Sequence, residues 1–134
     1  MEDISYNENV ISNELMDFIL NNVELYLGEN TYDKKLIVLY INMLCQNIII
    51  QTNRNKFPEA LRYLVIDLVK DKFDINKPDS EIQSVQSMSE TGRSINFGTS
   101  GVLATKLNLI AQKQLEEHTS LINRYRLVYR TWIK

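Results

Sequence analysis

Reactive side chains are few in this chain, and their positions limit the chemistry open to it. The single histidine, His118, lies in a Glu116-Glu117-His118-Thr119 run. One imidazole cannot complete a site that needs two, and no cysteine or carboxylate stands at a spacing that would make a zinc site with it. His118 is expected as a solvated or capping residue. The single cysteine, Cys45, excludes an internal disulfide and sits in an apolar stretch, where it reads as a small buried hydrophobe. The sequence has no phosphate-cradling Gly-x-x-x-x-Gly-Lys loop, no Gly-x-Gly-x-x-Gly and no Gly-x-Ser-x-Gly. It is therefore expected to be no enzyme and to need no metal or cofactor.

Two stretches carry recognition chemistry instead. Arg124, Tyr125, Arg126, Tyr129, Arg130 and Trp132 interleave cations with aromatics, as segments that stack on bases and contact phosphates do. The same residue types are enriched at protein interface hot spots. An acidic chain steers poorly toward DNA, which favours a protein partner; a small helical DNA-binding or regulatory protein using the same tail is the alternative. The second stretch is Gln83 to Gly98. Ser89-Glu90-Thr91-Gly92 is turn chemistry between Ile82 and Val85 on one side and Ile95 and Phe97 on the other, which predicts a β-hairpin over about 82–98. Ser89, Glu90, Gly92, Arg93, Ile95 and Phe97 are its candidate contact residues. A lone two-stranded ribbon is marginal in water, so a neighbouring copy of the chain is expected to support it.

The elements that must position these stretches read as helices. Ser12 stands as an N-cap, Leu15, Ile19, Val23 and Tyr26 or Leu27 recur at helical spacing, and Gly28 closes the pattern. Asp33 is the next cap candidate, and Lys34 to about Thr52 is apolar on nearly every side, which places that helix at the centre of a bundle. After a polar break, Gln51 to Lys56, Pro58 opens a third helix whose Leu61, Leu64, Val65, Leu68 and Phe73 form a stripe toward the second. Thr99-Ser100-Gly101 reads as flexible. From about Ala104 a more polar helix is expected, firmest near Leu115 to Arg126. Residues 1–11 are expected to be frayed or loosely docked. The fold class is thus mainly α: one domain over 1–134, with a helical body at about 12–73, the hairpin, and a C-terminal helix with an extended tail at about 104–134.

The 134 residues suit one core, and 44% hydrophobic with 24% charged residues is ordinary globular usage. No run is long and apolar enough for a membrane span, and the acidic Met-Glu-Asp-Ile-Ser start lacks signal-peptide features, so synthesis and use in the cytoplasm are expected. The net charge of −2 is unevenly spread. Residues 1–33 hold eight acids and no Lys or Arg, whereas 122–134 hold Arg124, Arg126, Arg130 and Lys134 and no acid. Such a polar molecule suits head-to-tail packing with copies of itself, or an acidic partner at its basic end.

In this order the elements resemble the head–tail connector (adaptor, or head-completion) proteins of long-tailed bacteriophages. Two segments carry the likeness. Val85-Gln86-Ser87-Met88-Ser89-Glu90-Thr91-Gly92-Arg93-Ser94-Ile95-Asn96-Phe97 is similar to the family's Ser-Glu-Gly-Gly-Arg-type strand and turn, and Leu121-Ile122-Asn123-Arg124-Tyr125-Arg126 to its terminal Leu-x-Asn-Arg-Tyr-Arg/Lys helix. The resemblance implies a structural virion protein at the head–tail interface, made in the host bacterial cytoplasm. It implies a ring, typically a dodecamer, attached beneath the portal after DNA packaging. Genomic DNA would pass through its channel without sequence-specific contact, and a stopper or tail-completion protein would bind below. The segment from Arg124 to Trp132 would then dock on the portal, and Ser89, Glu90, Gly92, Arg93, Ile95 and Phe97 of the hairpin would contact the neighbouring subunit or line the channel.

Overall fold

A computed structural model describes residues 11–28, 34–74, 82 and 97–127, with backbone alone for 97–103. The molecule is mainly helical: α1 (Asn13–Leu27), α2 (Lys34–Gln51), a 3₁₀ turn (Glu59–Leu61) that runs into α3 (Arg62–Phe73), α4 (Phe97–Glu116) and the short α5 (Thr119–Asn123).

Helix α1 starts where its sequence directs. The Ser12 hydroxyl accepts the Leu15 N–H at 3.1 Å, satisfying one of the donors left over in the first turn. Ile11 precedes that cap and Met16 lies at the fourth helical position; both are buried, the pattern of a hydrophobic staple. The expectation of a loose segment through residue 11 is corrected at Ile11 for this reason; residues 1–10 lie outside the described residues. Gly28 ends the helix at φ +88°, a conformation that costs glycine little, and its N–H donates to the Glu24 carbonyl at 2.8 Å. The Asp33 cap also lies outside the described residues.

Helix α2 is the centre of the bundle. It buries Leu36, Ile37, Tyr40, Ile41, Leu44, Cys45 and Ile48 and packs on α1, α3, α4 and α5. Each such side chain contributes about 1.5–3 kcal/mol relative to exposure, so the helical state prevails over the β preference of its isoleucines. The side-by-side order is α1, α3, α2, α4, because α1 lies mainly on α3 and α4 mainly on α2. This order explains a band on α3 wider than the stripe read from sequence. Leu61, Val65, Leu68 and Phe73 are buried as expected and Leu64 is half-buried, but Ile66 and Val69 are buried as well. Helix α3 has a neighbour on each side.

The hairpin expectation needs correction at both of its ends. Ile82 is helical and fully buried, and Phe97 and Gly98 are the first residues of α4, not the end of a strand. Among the described residues there is no strand. Residues 83–96, with Ser89, Glu90, Gly92, Arg93 and Ile95, lie outside them. Helix α4 thus begins seven residues before Ala104 and takes in Thr99-Ser100-Gly101. Helix growth is cooperative: two glycines cost about 1 kcal/mol each, and Leu107, Ile110, Ala111 and Leu115, buried farther along the same helix, outweigh that.

The C-terminal helix, expected to be firmest near Leu115 to Arg126, is broken within that stretch. Helix α4 ends at Glu116, where Glu117 and His118 N–H groups donate to Gln114 and Leu115 carbonyls in tight 3₁₀-type bonds. The chain then turns into α5, which brings Ile122 to full burial and lays Tyr125 against the core. Burial of those two side chains is what the bend gains.

Candidate functional site

The basic segment near the C-terminus meets the body at the end of α2, and the geometry starts with how that helix stops. Asn53 has φ +56°. Its N–H donates to the Ile50 carbonyl at 3.1 Å and the Arg54 N–H to the Ile49 carbonyl at 3.1 Å. These are the two bonds of a Schellman cap, with asparagine in the left-handed position where glycine is commonest. The buried Thr52 hydroxyl donates to the Ile48 carbonyl at 2.7 Å. The stretch Gln51–Lys56, which reads from sequence as a plain polar break, is a built turn.

Residues 123–127 are clasped onto it. The Leu127 N–H donates to the Thr52 carbonyl at 2.9 Å, and Asn53 Nδ2 donates to the Leu127 carbonyl at 2.9 Å, so both backbone groups of Leu127 are held. Arg54 Nε donates to the Tyr125 carbonyl at 2.7 Å. Arg126 Nη1 returns a bond to the Gln51 carbonyl at 3.0 Å, and Gln51 Nε2 reaches Asn123 Oδ1 at 3.4 Å. Two guanidinium groups therefore sit at the C-terminal end of α2, where the helix dipole favours cations.

The clasp sorts the sequence-derived site residues. Arg124 is exposed, Tyr125 is half-buried against the core, and Arg126 is exposed but bonded to the turn. Tyr129, Arg130 and Trp132 lie outside the described residues. The extended tail is corrected as far as Leu127, because the chain there is folded onto the body. Arg54 and Asn53 were missed by reading the sequence. An asparagine just past a helical pattern signals the cap, but nothing local signals its pairing with residues more than 70 positions away.

The remaining reactive groups do not converge. Cys45 is fully buried in α2, and burial pushes its thiol far above the ordinary range. His118 is half-buried at the N-cap position of α5, and its side chain makes no cap bond. A shallow groove of about 350 Å³ lies between Asn47 and Ile50 of α2 and Gln112 and Glu116 of α4. Amides line it, with Asn47 Nδ2 bonded to Asn108 Oδ1 at 2.8 Å. Among the described residues no three His, Cys, Asp or Glu side chains come close enough to hold a metal ion, and no helix is long and apolar enough to cross a membrane.

No protein-family model, no curated protein and no solved structure matches this chain.

Proposed function

We propose that this chain is a ring-forming head–tail connector of a long-tailed bacteriophage, docking beneath a portal through its C-terminal segment. It would extend the DNA channel and offer a platform to a stopper or tail-completion protein. The observation that carries this reading is the clasp. Leu121–Arg126, one of the two segments that resemble the family, is fixed at the end of α2 with Arg124 exposed. A docking segment gains affinity when its base is preorganised, because less ordering entropy is lost on binding.

The clasp limits which truncation leaves the core intact. Removing residues 121–134 would take Ile122 out of the core, so the test is a chain lacking 128–134, beside an Arg124→Glu variant of full length. Each is mixed with portal rings from the same phage and followed by size exclusion and electron microscopy. Full-length protein is expected to co-migrate and both variants to lose association. Equal association by the shortened chain would remove the anchor role from Tyr129, Arg130 and Trp132. Binding of duplex DNA tighter than about micromolar near physiological salt would favour the nucleic-acid reading.

A further inference from the structure

The clasp sets the C-terminal segment beside a second run of cations. From Asn47 to Pro58 the chain carries Arg54 and Lys56 and no acid. Arg54 holds the carbonyl of Tyr125, 71 positions on, and Tyr125 stands between Arg124 and Arg126. Lys56 follows Arg54 by two residues, at most about 7 Å of backbone. That reach is within the Debye length of about 8 Å at physiological salt. A partner therefore meets the cations of the turn and of the segment as one patch.

The bonds that fix these groups do not neutralise them. Arg54 Nε and Arg126 Nη1 each donate to a neutral backbone carbonyl, at 2.7 and 3.0 Å, and a guanidinium has five N–H groups to give. Lys56, Arg124 and Arg126 are exposed and Arg54 is half-buried. Negative charge around them is smaller. The end of α2 supplies the equivalent of about half a charge. Glu116 borders the patch on the groove it shares with Gln51, and Glu59 follows Lys56 by three residues. Cations stay in excess.

A fixed guanidinium fork suits a carboxylate, whose two oxygens it can meet together, and holding it before contact lowers the ordering cost of binding. The same donors could meet phosphates. A chain of net charge −2 steers poorly toward DNA, however, and the patch is continuous with the segment that the connector reading docks on a protein.

We infer that the docking surface is composite: Arg54 and Lys56 of the turn join Arg124 and Arg126 of the clasped segment in one cationic face that takes Asp and Glu carboxylates of the portal. The assignment rests on the connector reading and names the chemistry of its contact. It adds two residues that lie far from the C-terminal segment in sequence.

Carbodiimide crosslinking of the unaltered full chain to portal rings from the same phage tests it. The reagent activates a carboxylate, and an amine in contact displaces it to leave an amide. Proteolysis and mass spectrometry are expected to find Lys56 joined to a portal Asp or Glu. In a binding titration near physiological salt, Lys56→Glu is expected to bind the rings at least about tenfold more weakly than the parent. Lys35→Glu makes the same charge change on an exposed residue near the other end of α2, about 24 Å along the helix from Gln51, and is expected to bind as the parent does. Circular dichroism and urea melts verify that both variants are folded. Rings that bind the parent and Lys56→Glu alike, with no crosslink from Lys56, overturn the composite face and leave the connector standing. Equal weakening by Lys35→Glu also overturns it, because net charge alone would then explain the loss. Failure of the parent to bind portal rings overturns both readings. Duplex DNA bound tighter than about micromolar by the parent and lost in Lys56→Glu would give the face to phosphates and overturn the inference.

Discussion

Tyr40 Oη donates to Gln114 Oε1 at 2.6 Å inside the protein, and Gln114 Nε2 donates in turn to the Leu68 carbonyl at 2.9 Å. Two side chains 74 positions apart thus join α2, α3 and α4 through one buried polar link, with the Phe73 ring edge-on to Tyr40 at 5.5 Å. A buried amide can be satisfied in few positions, so the link sets how α4 seats on the centre of the bundle.

Tyr40→Phe keeps the ring and removes the donor. It leaves the Gln114 carbonyl without that bond in a dry site, and the expected loss is about 1–3 kcal/mol of unfolding free energy in urea melts. Gln114→Leu is expected to cost a similar amount, because the Leu68 carbonyl loses a donor. The double variant should cost less than the two single losses together, and strict additivity would mean that the pair is not coupled.

At Asn53 the backbone conformation and the side chain make separate contributions. Asn53→Gly keeps the left-handed turn and removes the bond to Leu127, so overall stability should hold while amide exchange at Leu127 quickens. Asn53→Val strains the turn and is expected to cost about 1–3 kcal/mol in the same urea melt. Equal behaviour of the two variants would show that the cap does not depend on φ.

Arg54→Ala removes the charge-assisted bond that holds the Tyr125 carbonyl. Trypsin is expected to cut after Arg124 and Arg126 about tenfold faster than in the parent, with little change in the helical circular dichroism signal. Unchanged cleavage would show that the clasp does not limit access to the segment.

Burial of Cys45 ties stability to alkaline pH. A thiol raised this far stays protonated in the folded chain, while the unfolded chain loses the proton above about pH 8.5. The protonated folded state is therefore at no disadvantage below that pH, and stability falls above it by up to about 1.4 kcal/mol per pH unit. Cys45→Ala should flatten the slope between about pH 8.5 and 10. In the native parent the thiol should resist a water-soluble disulfide reagent until urea unfolds the chain.

Local pattern decided α1 and α2. Ser12, the leucines and isoleucines at helical spacing and Gly28 carry their instructions within one or two turns, and α2 is so uniformly apolar that only a central place could cover it. The pairing of Asn53 and Arg54 with residues 125–127, the Tyr40–Gln114 link and the aromatic–cation contacts of Phe18 with Arg62 and of Tyr26 with Lys70 depend on tertiary structure. Each joins residues at least 44 positions apart, and nothing in a local window specifies such partners. The same limit explains the misreading around Phe97. Its short-range signals favour a strand and a flexible link, whereas helix is decided farther along, where Leu107, Ile110 and Leu115 are buried. Side-chain spacing can say that a face must be covered; which face covers it is settled only when the whole chain has packed.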